Sequence, residues 1–153
     1  MNIILKLVII SIIIIKTGYT LYASDYKNDH IFYKALRFVE SKNLNTVGDN
    51  GKAIGVYQIH KIYIDDVNRI YGTKYSYDNR WDKNKSHEIV VLYLNYYRKV
   101  FERKYKRQIT VIELAAIHNG GPQGYKKLKA REYGSRVLNY IKAVSQQKTH
   151  KKR

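Results

Sequence analysis

The pair Glu40-Ser41 closes an amphipathic run and precedes the turn Gly48-Asp49-Asn50-Gly51, after which the apolar stretch Ala53-Ile54-Gly55-Val56-Tyr57 leads to Gln58. A glutamate at the end of a packed helix is placed where burial raises a carboxyl pKa, because desolvation disfavours the charged form. A carboxyl that stays protonated near neutrality can protonate a leaving oxygen. The order of these residues therefore predicts an acid set against apolar packing and facing a polar cleft. The competing reading of Glu40 is a solvated surface charge, the ordinary state of an isolated glutamate.

The elements that must position this acid are mostly helical. Phe32, Ala35, Leu36 and Val39 recur at three- and four-residue spacing and predict a first helix over Asp29–Lys42. Gly48, Gly51 and Gly55 break the periodicity, so a loop with a small, irregular β-hairpin is expected between Asn43 and Ile59. A second helix is expected over Lys61–Tyr71, stopping at Gly72, then a loop-like Tyr75–Arg80. Asp82 is placed to cap a third helix whose stripe Ile89, Leu92, Tyr93, Tyr96, Val100 and Phe101 makes it the expected longest element and central support. Thr110 and Glu113 fit a capping box for a short helix that Asn119-Gly120-Gly121-Pro122 must stop. A last helix carries Tyr133, Val137, Tyr140, Ile141 and Val144. The expected fold class is α+β, mainly α, with a small β-hairpin after the helix that bears Glu40.

Residues 1–23 read as a signal peptide, with Lys6 ahead of an apolar run that ends at Lys16-Thr17-Gly18 and a small-residue site at Ala23. The run is shorter than the roughly 18 apolar residues a membrane span wants, so no stable span is expected once the signal is removed. One domain follows over 24–147, and 148–153 form a basic tail. The expected location is secreted or periplasmic. With no cysteine in the chain, the exported domain must be held by its core alone. The formal charge of +17 points to polyanionic partners, among them anionic membranes and acidic wall polymers, and export makes nucleic acid the least accessible. The five histidines, His30, His60, His87, His118 and His150, lack a metal-ligand spacing, so no metal or cofactor is expected.

The string Gly55-Val56-Tyr57-Gln58-Ile59-His60, followed by Tyr63 and Asp65, resembles the segment after the catalytic loop of invertebrate-type (destabilase-like) lysozymes. Ile117-His118-Asn119-Gly120-Gly121-Pro122 followed by Gly124 is similar to a signature of the same family, and the resemblance runs from about Phe32 to Ala143. More loosely, Glu40-Ser41, Gly55, Gln58 and Asn119 resemble the Glu-Ser, Gly-x-x-Gln and Tyr-Asn-Ala-Gly elements of soluble lytic transglycosylases and goose-type lysozymes. Each element alone is common; their order and spacing are specific.

The resemblance implies a lysozyme-like fold and cleavage of bacterial peptidoglycan between N-acetylmuramic acid and N-acetylglucosamine, an antibacterial, bacteriolytic activity. It makes Glu40 the general acid and places Asp49 near the second catalytic carboxylate, where it would stabilise the oxocarbenium-like sugar, attack it or activate water. Asp49 also suits an Asx-turn and nothing more. Gln58 and Asn119 would present amides to the sugar from opposite walls, with Gly120-Gly121 allowing close approach. Ser41, His118 and Tyr133 join them as candidate cleft contacts; His60 and Tyr57 are weaker ones.

The chain departs from the family in its lack of cysteine, in a slightly different Asp49 spacing, and in His118, where many transglycosylases carry tyrosine. Transglycosylases use one carboxylate as acid and then base, so the position of Asp49 separates the two chemistries. Two other classes remain open: a non-catalytic cationic protein that binds walls or disrupts membranes, and a nucleic-acid binder resting on charge and aromatics alone.

Overall fold

The structure, a computed structural model, describes residues 29–150, with side chains from 30 to 147; the expected signal peptide lies outside the described residues. Helix α1 spans Asp29–Ser41 and stops where Lys42 and Asn43 turn left-handed, with φ of 57° and 65°. Lys42 N–H still donates to the Phe38 carbonyl and Asn43 N–H to that of Arg37, which satisfies the last turn of the helix. The hairpin expected after this helix is present: β1 (Val47–Gly48) pairs antiparallel with β2 (Ala53–Ile54), with Val47 opposite Ile54 and Gly48 opposite Ala53. A short 3₁₀ turn over Asp49–Gly51 joins the strands, with Asp49 and Asn50 at φ of 46° and 51°.

Helix α2 covers Lys61–Tyr71 and ends on Gly72 at φ 66°, as its sequence predicts. The segment expected to be loop-like contains a 3₁₀ turn, Tyr77–Arg80, and it has a structural task. Arg80 is buried, and its guanidinium donates to the carbonyls of Tyr77 (2.7 Å), Lys52 (3.1 Å) and Ile59 (3.4 Å). That clasp ties the hairpin to the start of helix α3, Lys83–Tyr105. Gly55 lies beneath it at φ +80°, so close to the Arg80 carbonyl that a Cβ would collide with it.

Asp82 caps α3, its Oδ1 accepting from the amides of Asn84 (2.8 Å) and Lys85 (3.0 Å). The capping box of helix α4, Val111–Gly120, also forms: Glu113 N–H donates to Thr110 Oγ1 (3.2 Å) and Thr110 N–H to Glu113 Oε2 (3.0 Å). Arg107 adds a bidentate pair to the Glu113 carboxylate at 2.9 and 2.6 Å, so this partly buried acid stays ionised, its pKa held below the usual range despite its burial.

Two expectations about the helices need correction. The third helix is not uniquely the longest, because the last, α5 over Leu128–His150, also has 23 residues; its backbone runs into the expected tail. Nor is α3 the central support. Val111 and every residue from Glu113 to His118 are buried, so α4 is enclosed on nearly all sides, as a helix of Leu114-Ala115-Ala116-Ile117 composition must be. Helix α5 packs closely along it: Gly134 meets the Ile112 backbone, and Gly120 lies against Ala130. Phe38 stacks on Tyr140 at 4.4 Å and joins α1 to α5.

One apolar cluster runs through Leu36, Tyr57, Ile64, Ile89, Leu94, Ile117, Val137 and Ile141. The domain is therefore mainly α, five helices with one two-stranded antiparallel hairpin among the described residues. No helix among those residues is long and apolar enough to cross a membrane.

Candidate active site

A cleft of about 640 Å3 opens between the end of α1, the hairpin, the start of α2 and the end of α4. Glu40 lies on its inner side. Being next to last in α1, it follows the apolar stripe that faces the core, and its side chain is only 15% exposed. Burial pushes its pKa up from 4.5 to about 7, against the opposing pull of the Tyr133 hydroxyl and the positive charge of Arg136. The Tyr133 hydroxyl, from α5, faces the Glu40 carboxyl and interacts with it, but falls short of a well-formed hydrogen bond. Glu40 thus holds a proton for about half the time at neutral pH, the condition a general acid requires.

His118 packs against this acid. It occupies the last turn of α4 with its side chain 2% exposed, and its Nε2 lies 3.5 Å from Glu40 Oε1. Burial pushes its pKa down to about 4, with the Tyr57 main chain opposing that shift. The contact is therefore not an ion pair at neutrality, because the imidazole is uncharged there. Tyr63, from α2, places its hydroxyl 3.2 Å from His118 Nδ1 and stacks on Tyr93 at a centroid distance of 3.7 Å. The acid is thus backed by neutral and aromatic groups drawn from four helices, which is why its charged form is disfavoured.

Asp49 lines the same cleft from the hairpin turn. Its carboxylate is 54% exposed, and its Oδ2 lies 3.3 Å from His60 Nε2 at the N-cap of α2. Asn119, Gly120, Gly121 and Pro122 form the opposite wall, and Asn119 is exposed to it. Gln58 also lines the cleft, in a left-handed conformation with φ 50°, but its amide nitrogen is committed to the carbonyls of Thr46 (3.0 Å) and Gly55 (2.8 Å). Its first task is to brace the hairpin. Ser41 is turned away from the cleft: its buried hydroxyl donates to the Val56 carbonyl at 2.9 Å and so fastens the segment after the hairpin to the end of α1.

The structure thus brings Glu40, Asp49, Gln58, His118 and Asn119 to one cleft, sets Tyr133 behind Glu40, and makes Ser41 a strut. Sequence reasoning passed over two lining residues. Tyr93 was read only as part of a helical stripe. Asp66 is a third carboxylate, held by the Tyr97 hydroxyl at 2.9 Å and by Arg69. Their spacing carries no signal beyond α2 and α3 periodicity. Among the described residues no group of three or more carboxylates and imidazoles could hold a metal ion.

This arrangement can deliver one proton at neutral pH to a ligand held between an amide-bearing wall and a carboxylate-bearing turn. No protein family, no curated protein and no solved structure matches the chain. The site's own geometry is therefore what carries a functional reading.

Proposed function

We propose that the chain is a peptidoglycan-cleaving glycosidase, a muramidase that cuts the β-1,4 bond between N-acetylmuramic acid and N-acetylglucosamine. The observation that carries this reading is Glu40, a buried carboxyl with its pKa raised to about 7 inside an open cleft. Protonated Glu40 gives its proton to the glycosidic oxygen as the C1–O bond breaks, and positive charge spreads over C1 and the ring oxygen. The carboxylate left behind accepts a proton from the water that then attacks C1, which restores the acid. Asp49, half-exposed on the turn with its Oδ2 3.3 Å from His60, is the second carboxylate that would stabilise the cation. The expected signal at residues 1–23 and the charge of +17 fit export and adsorption to an acidic wall.

A second reading, lytic transglycosylation, has its own support. Asp49 is turned to His60 and Asp66 is occupied by Tyr97 and Arg69, so Glu40 is the most buried carboxyl of the cleft. In that reaction Glu40, once deprotonated, takes the proton of the muramic C6 hydroxyl, whose oxygen closes on C1 of the same sugar.

Mass spectrometry of purified peptidoglycan treated with the protein and with Glu40→Gln separates the cases. Free reducing muramic ends, lost in the variant, are expected for a muramidase. Anhydromuramic ends, equally lost, would replace that reading by transglycosylation. Absence of any Glu40-dependent product would leave a cationic binding protein.

A further inference from the structure

A second concavity, of about 520 Å3, lies between the first helix and the start of α3, away from Glu40. Its walls are two helical stripes. His30, Tyr33 and Arg37 recur at three- and four-residue spacing on α1, and Lys83, Asn84 and His87 do so on α3. Asn43 and Val56 complete the lining, which contains no carboxylate. Helix periodicity gathers Arg37, Lys83 and two imidazoles, His30 and His87, around one hollow.

Two of these groups are held in place from behind by one buried side chain. Tyr57 is fully buried, and its hydroxyl accepts from Arg37 Nη1 at 2.9 Å and lies 2.7 Å from His87 Nδ1. Arg37 Nε also donates to Asn43 Oδ1 at 3.4 Å. Arginine can only donate, so the Tyr57 hydroxyl accepts from Arg37, while its contact with His87 Nδ1 runs in the direction that the imidazole tautomer sets. The guanidinium is thus pre-oriented before any ligand arrives, which reduces the ordering cost of binding. The helix terminus adds little here, because Asp82 already takes the amides of Asn84 and Lys85 at the rim.

We infer that this groove binds the phosphate groups of a phosphodiester polymer, of the poly(glycerol phosphate) type. Donor-bearing side chains on two walls suit a tetrahedral anion with acceptor oxygens on every side, and arginine is the side chain best suited to it. The hollow is much larger than one phosphate, which leaves room for the chain on either side. The site is separate from Glu40, and the choice of a wall polymer over a nucleic acid rests on the export expected from residues 1–23.

The test is isothermal titration of the full chain at fixed ionic strength with inorganic phosphate, a glycerol phosphate oligomer, and an oligonucleotide of equal charge. Lys83→Gln removes an exposed charge from the rim without touching the core, and Lys129→Gln removes an exposed charge of α5 that does not line the groove. We expect saturable binding, tighter for the glycerol phosphate oligomer than for free phosphate. Lys83→Gln should weaken it about 3- to 5-fold and Arg37→Gln about 10-fold or more, with Lys129→Gln and Glu40→Gln close to wild type. Equal weakening by Lys83→Gln and Lys129→Gln would reduce the effect to net charge and overturn the site. Tighter binding of free phosphate or of the oligonucleotide would overturn the polymer assignment, and lack of saturation would overturn both.

Discussion

Replacing Glu40 by glutamine should make the protein more stable, and the gain should grow with pH. Glu40 has a carboxyl pKa of about 7 when folded against 4.5 for an unperturbed group, so between those values the folded state binds more protons than the unfolded one. Stability then falls as pH rises, and the favourable contribution present below 4.5 is lost as pH passes through about 7. The interval between the two values, at about 1.4 kcal/mol for each tenfold step in proton affinity, comes to about 3 kcal/mol. His118 acts with the opposite sign. Its folded pKa is about 4 against 6.5, so stability is complete above 6.5 and is lost as pH falls towards 4, again by about 3 kcal/mol. Over the range where the two overlap, their slopes nearly cancel.

Urea denaturation at intervals from pH 4 to 8, at constant ionic strength, reads these terms directly. For wild type, this pair should contribute a nearly flat stability from about pH 4.5 to 6.5 and a decline above it. Glu40→Gln should follow wild type at pH 4 and exceed it by about 3 kcal/mol at pH 8, because an uncharged isostere avoids the burial of a carboxylate. A difference between the two that stays constant across the range would mean that Glu40 titrates as an ordinary surface acid. Glu40 would then lack the raised pKa that a general acid needs, since proton retention and the stability gain come from the same desolvation.

Tyr133→Phe removes a hydroxyl that favours the charged form of Glu40, so the alkaline limb of the activity profile should move to higher pH; a limb that stays in place or moves lower would show that Tyr133 does not act on the acid. Gly55→Ala forces a side chain onto a residue at φ +80° and against the Arg80 carbonyl, and should cost on the order of 2 kcal/mol or more, read from the denaturation midpoint. Thr110→Ala removes the cap of the buried helix α4 and should cost about 1 kcal/mol in a thermal melt; an unchanged melting temperature would mean that Glu113 and Arg107 hold the helix end without it. Asp49→Asn should abolish hydrolysis if its carboxylate meets the sugar cation, and should leave product formation intact if the residue only shapes the hairpin turn, as product analysis will show.

Much of the scaffold was legible because its signals act over a few residues. The stripe Phe32, Ala35, Leu36 and Val39, the Asp82 cap, the box of Thr110 and Glu113, and the stop at Gly72 each concern groups within a turn or so of one another, and each formed as expected. The same locality misplaced the centre of the domain. The long stripe of α3 suggested a support, while the short, almost uniformly apolar α4 was enclosed on nearly all sides, because enclosure depends on how many neighbours pack around an element and not on its length. Arg80 read as part of a loop for a related reason. Its partners, Lys52 and Ile59, lie more than twenty residues away, and nothing in the local pattern announces that clasp.

The sequence by itself determined the helices, their caps, the hairpin turn that carries Asp49 and the position of an acid at the end of the first helix. Only the tertiary structure decided that this acid holds a proton up to about pH 7, since its pKa is set by desolvation among His118, Tyr133 and other groups distant along the chain. It also decided which polar residues face the cleft: Ser41 adjoins Glu40 in sequence, yet its hydroxyl is spent on the Val56 carbonyl, while Asn119, far along the chain, opens to the cleft. Helical periodicity fixes which side chains share a face, but the packing of one helix against the next decides whether that face meets water, a core or a ligand.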